Sequence, residues 1–274
     1  MASMRDIKRR KDSIQSTQQI TKAMKLVSTV KLQRARSRAE NARPYFDKMY
    51  ETIQSILAKS ERLDHPFLTG SGSERKAVIV VTSNRGLAGG YNNNVTRLIV
   101  DSGWRKDDVD RDYHIVSDDS EVMNAPSFAD AAAIGEQVLD AFAAGEIGEI
   151  YLAYTKFKNT VVHVPTLIKL LPVDVEEKTE TEKQVKSETL MNYEPGPEEA
   201  LDLLIPKYIN STIFGAFIES AASENGARMQ AMDAATSNAD EMISTLSLVY
   251  NRARQGAITQ ELTEIISGAE ALNG

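Results

Sequence analysis

The sequence predicts an α/β domain, Rossmann-like in its strand–helix alternation, carried on two long helices drawn from the two ends of the chain. Three observations predict this. Near the N-terminal end, Ala35, Ala39, Ala42, Phe46, Met49, Ile53 and Ile56 alternate spacings of four and three, which is one seam of a helix. Near the C-terminal end, Met232, Ala235, Ala239, Met242, Leu246, Val249, Ala253 and Gly256 do the same. Between them, short apolar runs alternate with helical patterns and are bounded by glycine, proline and charge. Each seam is too narrow to bury itself in a globular core, and the obvious partner of each is the other. Paired ends make a shaft, a shape for transmitting force or spanning a distance.

Taken in order, the first helix runs from about Ser3 to about Ser60, roughly 85 Å at 1.5 Å per residue. Read in sevens, one seam position is Ile7, Ile14, Thr21, Ser28, Ala35, Ala42, Met49 and Ile56. Its first half is small or polar, so whatever packs there approaches closely or is not a greasy helix. Pro44 should cost about 3 kcal/mol and a local kink, yet the heptad phase survives across it and the helix continues. His65-Pro66 and Thr69–Ser73 read as a breaker-rich linker. Ala77–Val81 is a buried strand, followed by the glycine-rich Ser83–Gly90 and a helix through about Asp101. Tyr113–Val116 reads as a second strand. Ser127–Ala144 is an amphipathic helix that Pro126 and Ser127 could start and Gly145 could stop. Glu149–Tyr154 and Val161–Leu171 are two further strands joined at Lys158-Asn159. Strand–helix–strand–helix–strand is a doubly wound parallel unit with an added antiparallel strand. Asp174–Ser187 is a charged loop with almost no apolar content. Pro195–Glu199 opens the last helix, with proline in its first turn and carboxylates on the positive end of the dipole. Pro206 is a second kink, and no proline follows it. The expected parts are an N-terminal shaft helix over 1–60, a central α/β domain over 74–195 and a C-terminal shaft helix over 197–274.

The chain has 274 residues, enough for a sizeable core, and no cysteine, which excludes disulfides, thiolate metal sites and cysteine nucleophiles. That absence suits a reducing compartment. The start, Met1–Asp6, lacks an apolar segment, and no run of 18 apolar residues occurs. The expectation is a soluble chain whose membrane association goes through partners, without lipid insertion. A net charge of −7 conceals a split: residues 1–62 carry a net +9 and the remainder a net −16. A basic rod on an acidic body suggests an anionic partner for the rod, although a solvated helix face reads the same way.

No local frame for catalysis emerges. Gly86, Gly89 and Gly90 follow a strand and open a helix, where a phosphate loop would sit. Their spacing gives neither G-x-G-x-x-G nor G-x-x-x-x-G-K-[ST], so a structural turn is preferred, with Asn92, Asn93 and Asn94 available to cap the helix. His65, His114 and His163 lie in a linker and two strands, without the spacing of metal ligands or of a general base. More informative is the last segment, where Ile258, Leu262, Ile265, Ala269 and Leu272 continue the four–three spacing. An antiparallel first helix has run out of residues by then, so this apolar tip must sit inside something else. Its bland reading is a frayed amphipathic end.

That terminal segment resembles the signature of the gamma subunit of rotary F-type ATP synthases. The pattern falls on Ile258, Thr259, Glu261, Glu264, Gly268 and Ala269. Ile14–Lys25, Ser83–Gly90 and Ala227–Asn238 are similar to the family too, so the likeness covers essentially the whole chain in order. The resemblance implies an antiparallel coiled coil of residues 1–60 and 200–274 inside a hexameric ring of alternating alpha and beta subunits. It implies that the α/β domain and lower coil sit on the epsilon subunit and the membrane c-ring, at the cytoplasmic face of the plasma membrane. Ion-driven rotation of the shaft would then drive the three beta sites through different conformations. The chain itself would be non-catalytic, with no catalytic residue, cofactor or metal. Met24 and Lys25 on one helix would lie close to Arg254, Gln255, Thr259 and Glu261 on the other, where beta subunits grip the shaft. Ile258, Leu262, Ile265 and Ile266 would slide in a ring-shaped bearing. Two rivals remain: a nucleotide-binding enzyme using Gly86–Gly90, and a nucleic-acid-binding coiled coil using the basic rod. Few aromatics interleave with that rod, which weakens a stacking platform for bases.

Overall fold

The computed structural model describes residues 4–59, 65–70, 72–103, 115–119, 121–173 and 196–273. Two compact units emerge, one of Val30–Ala227 and one of Met1–Thr29 with Arg228–Gly274. The fold has the predicted class: long helices α1 (Met4–Lys59) and α5 (Pro197–Asn273) flank a small central sheet. α1 runs through Pro44, as the unbroken heptad phase led one to expect, and α5 runs through Pro206. The charged loop expected at Asp174–Ser187 lies outside the described residues.

In the unit Val30–Ala227, β1 (Lys76–Val80) pairs in parallel with β2 (Glu149–Phe157), which pairs antiparallel with β3 (His163–Leu171). Val78 stands opposite Tyr151, and Leu152 opposite Ile168. A bulge at Ile150/Tyr151 interrupts the β2–β3 register. The hairpin turns on Asn159, whose Oδ1 accepts hydrogen bonds from the Val161 and Val162 amides at 2.9 and 2.7 Å. Of the strand expected at Tyr113–Val116, residues 113 and 114 lie outside the described residues. Ile115 and Val116 are exposed and in no strand. Apolar, β-branched content alone did not order them into the described sheet.

Helix α4 (Phe128–Ala143) starts where Pro126 and Ser127 placed it. Ser127 is its N-cap, closing a capping box with Asp130, whose carboxyl the two Ser127 hydrogen bonds hold below the usual carboxylate range. Gly145 follows its end at φ +75°. The linker expected at His65-Pro66 contains one helical turn, α2 (Pro66–Thr69). Buried His65 caps it, its Nδ1 accepting from the Phe67 amide at 3.2 Å while Nε2 meets Asp202 at 3.1 Å. Breakers mark where a chain turns, and Pro66 here also serves as a first helical residue.

The core of this unit joins both long helices to the sheet. Ile53 and Ile56 of α1, Leu201, Ile205, Ile209 and Ile213 of α5, and Ile150, Leu152 and Leu171 of the strands are fully buried. Polar contacts tie α5 to β2: Ser220 Oγ accepts from the Thr155 amide and Ser223 Oγ donates to the Thr155 carbonyl. Tyr91 donates its buried hydroxyl to the Ser220 carbonyl, and burial pushes that phenol up to about 12. Arg38, Asn41 and Ala42 line an open groove of about 510 Å³ with Phe214 and Ile218 of α5. The small α1 residues therefore lie beside α5 here. Replacing half-buried Ala39 with Leu is expected to overpack this seam and lower stability by about 1–3 kcal/mol. Thermal unfolding measures it, and an unchanged midpoint would mean that the two helices do not pack there.

Candidate coupling surface

In the unit of Met1–Thr29 and Arg228–Gly274, α1 and α5 pair through side chains. Gln18 Nε2 donates to Asp240 Oδ1, the Thr21 and Thr236 hydroxyls meet at 2.8 Å, and Lys25 Nζ reaches Asp233 Oδ1 at 2.5 Å. Numbers fall on one helix as they rise on the other, so the pairing is antiparallel. Burial on α1 follows the predicted sevens, with Ile7, Thr21 and Ser28 buried and Ile14 half-buried. The second row of the seam is Gln18 and Lys25, which the heptad puts four residues after Ile14 and Thr21.

On α5 the seam differs from the expected one. Thr236 is buried and Ile243 and Tyr250 are half-buried, whereas Met242 and Val249 are exposed. Met232, Ala239, Leu246 and Ala253 keep their places. The reason is chemical: a threonine whose hydroxyl has partners is buried at little cost. Thr236 bonds both Thr21 and the Met232 carbonyl, so the true row runs one position from the apolar one.

Carried toward the N-terminal end, the same register sets Met4 level with Arg254. Beyond it α5 has no described residue of α1 to pair with, and Ile258, Leu262, Ile265 and Ile266 are 49–62% exposed. Arg254, Gln255, Thr259 and Glu261 are exposed as well. The structure does not bring Met24 and Lys25 to this group. Lys25 is engaged with Asp233, 21 residues and about 32 Å along α5 from Arg254. The expected juxtaposition is therefore corrected: likeness of motif identifies residues, but it carries no register between two helices. The missed residues are Asp233, Thr236 and Asp240. Polar Thr21 and Ser28 in a seam position were the available signal that polar partners lay opposite.

The glycine loop of the other unit is built as a turn. Leu87 and Gly89 take φ of +64° and +61°, and α3 (Tyr91–Asp101) begins after an N-cap Gly90 without a side-chain cap. The asparagines do not supply that cap, because Asn92 Oδ1 accepts from the Ser83 amide at 2.9 Å instead. The Asn84 amide points at the Glu224 carboxylate, 3.4 Å away. A carboxylate at an amide where a phosphate would bind opposes an anion. Among the described residues no three His, Cys, Asp or Glu converge as metal ligands. The chain by itself is expected not to hydrolyse ATP or bind it tightly; stoichiometric ATP binding by purified chain in calorimetry would overturn this.

The family model described as "ATP synthase" matches residues 3–272. The chain is 63% identical over 291 residues to the ATP synthase gamma chain of Lachnoclostridium phytofermentans, covering 100% of both chains. It is similar to a chain in the central stalk and c-ring structure of the Tetrahymena thermophila mitochondrial ATP synthase. The TM-score there is 0.50 and the identity 25%, over 79% of this chain and 99% of that one. A chain in an F1 and c-ring structure of the Euglena gracilis mitochondrial ATP synthase shares the fold, with a TM-score of 0.62 at 17% identity over 98% and 94% of the two.

Proposed function

Because the chain belongs to the ATP synthase gamma-chain family, we propose that its paired helices are the rotor shaft of the complex, turning ion-driven rotation into changes at catalytic sites on other subunits. The observation that carries this is the apolar end of α5, which continues past the reach of α1 with its large side chains half exposed. Such a surface is tolerated when another chain encloses it. The shaft parts are the segments 1–60 and 197–274, which contain α1 and α5, and the central domain of 74–195 is the foot.

The tip residues Ile258, Leu262, Ile265 and Ile266 are bearing contacts, because apolar contact is non-directional and resists rotation weakly. Arg254, Gln255, Thr259 and Glu261 are the polar contacts with alpha and beta subunits, and Met24 joins them from another level. The foot meets the epsilon subunit and the membrane c-ring. No described helix is long and apolar enough to cross a membrane, which fits a peripheral subunit at the cytoplasmic face, attached through the complex. The subunit drives catalysis by favouring one state of each beta site over another, since a partner shifts an equilibrium only through differential contact.

Two measurements test the reading. The chain should co-purify in an assembly containing three alpha and three beta chains, and a complex without them would refute it. Truncation after Ala257 should lower the yield of assembled complex while leaving residual ATP-driven rotation in what assembles. An unchanged yield would show that the tip bears no load.

A further inference from the structure

The cross-helix contacts at Gln18, Thr21 and Lys25 lie on the stretch of α1 where the seam is polar. A seam of apolar side chains holds two helices together without fixing how far one has slid along the other, whereas polar groups at seam positions specify register. Thr21 and Thr236 are each 8% exposed and share a chain of hydroxyl hydrogen bonds: Thr236 reaches the Met232 carbonyl at 2.7 Å and Thr21 the Gln18 carbonyl at 3.0 Å. Each hydroxyl has one proton, so one threonine donates across while the other donates back into its own helix. On either side, Gln18–Asp240 and Lys25–Asp233 repeat the tie roughly one turn away. Sliding by one heptad would set Thr21 level with Ile243 or Met229 and part all three contacts. Among the described residues, the compact unit that holds this stretch is made of α1 and α5.

We propose that Gln18–Asp240, Thr21–Thr236 and Lys25–Asp233 form a register lock, which makes the two shaft helices turn as one body so that torque on either is carried by both. It rests on the rotor reading and assigns Lys25 a positioning role inside the shaft in place of an outward contact with the ring. Asp233, which lies inside the family-like stretch Ala227–Asn238, and Asp240, which lies outside it, become its partners.

The test is charge exchange in the complete synthase reconstituted in vesicles. Asp233→Lys and Lys25→Asp are each expected to lower proton- or sodium-driven ATP synthesis about fivefold relative to ATP hydrolysis by the same preparation. The double variant is expected to restore the ratio, because the tie re-forms with its charges reversed. Wild-type ratios in both single variants would overturn the lock. Impaired single variants without rescue would also overturn it, because a lysine or aspartate meeting another subunit is not restored by a change within the shaft. A wild-type chain that supports no coupled synthesis would instead refute the rotor reading.

Register can also be read in the full-length chain. With no native cysteine, Ile14→Cys and Ile243→Cys, which the register sets level, should close a disulfide, and Ile14→Cys with Tyr250→Cys, one heptad away, should not. Adding Thr21→Val, Thr236→Val, Lys25→Ala and Asp233→Ala should raise closure of the displaced pair at least threefold. Closure that stays confined to the level pair would overturn the lock even if the charge variants failed to assemble.

Discussion

Arg254→Glu is expected to lower ion-driven ATP synthesis by about tenfold or more in reconstituted vesicles, while the complex still assembles. Tenfold corresponds to about 1.4 kcal/mol, less than the 2–5 kcal/mol commonly lost when one member of a buried interfacial charge pair is removed. Arg254 is exposed on α5 at the level where α1 begins, so its guanidinium faces outward. A carboxylate-bearing partner that favours arginine would be repelled by glutamate, and inversion costs more than deletion. Arg254→Ala should therefore sit between wild type and Arg254→Glu. Synthesis driven by an imposed ion gradient, compared with ATP hydrolysis by the same vesicles, measures it. Equal, wild-type values of both for Arg254→Glu would show that the grip lies elsewhere on the shaft.

Gly148→Ala is expected to lower stability by about 3 kcal/mol, at the upper end of ordinary overpacking. A Cβ at Gly148 would lie 1.8 Å from the Ser73 carbonyl oxygen and 2.9 Å from its carbon, both backbone atoms. Neither neighbour can swing aside as a side-chain end would. The amide of Gly148 also donates to the Arg75 carbonyl at 2.7 Å, so displacement there strains the lead-in to both β1 and β2. At roughly 2–4 °C per kcal/mol for a domain of this size, the midpoint should fall by about 10 °C. Gly86→Ala is the matched control, because nothing lies within 4 Å of its Cβ position. Equal melting temperatures for the two variants in scanning calorimetry would mean that the close approach at Gly148 relaxes without cost.

The long helices were legible from residue order alone because burial on α1 repeats every seven residues, and a period written by apolar and small side chains is local information. Ile7, Thr21, Ser28, Met49 and Ile56 are all buried at positions counted off in sevens. The cap at Ser127 was legible for the same reason: Ser127 and Asp130 act within one turn. The apolar tip was legible only as a continued four–three spacing at Ile258, Leu262 and Ile265, and it was the register that left these residues without a described residue of α1 to pair with.

Contacts between distant segments were beyond that reach. Which face of α5 lies inward depended on Thr236 finding Thr21, 215 residues away, so the row of apolar residues at Met242 and Val249 pointed to the wrong face. The partner of Lys25 depended on register, and periodicity is unchanged by a slide of one heptad. At Gly90 and His65 a tertiary partner likewise decided what local preference left open: Asn92 serves Ser83 instead of the cap, and His65 is held between Phe67 and Asp202. The sequence by itself determined that two helices must pair, because hydrophobic patterning is counted along one chain, and register, with the point where the pairing ends, came with the structure. Only the tertiary structure decided which residues meet, because a directional hydrogen bond has no meaning until both of its ends are in place.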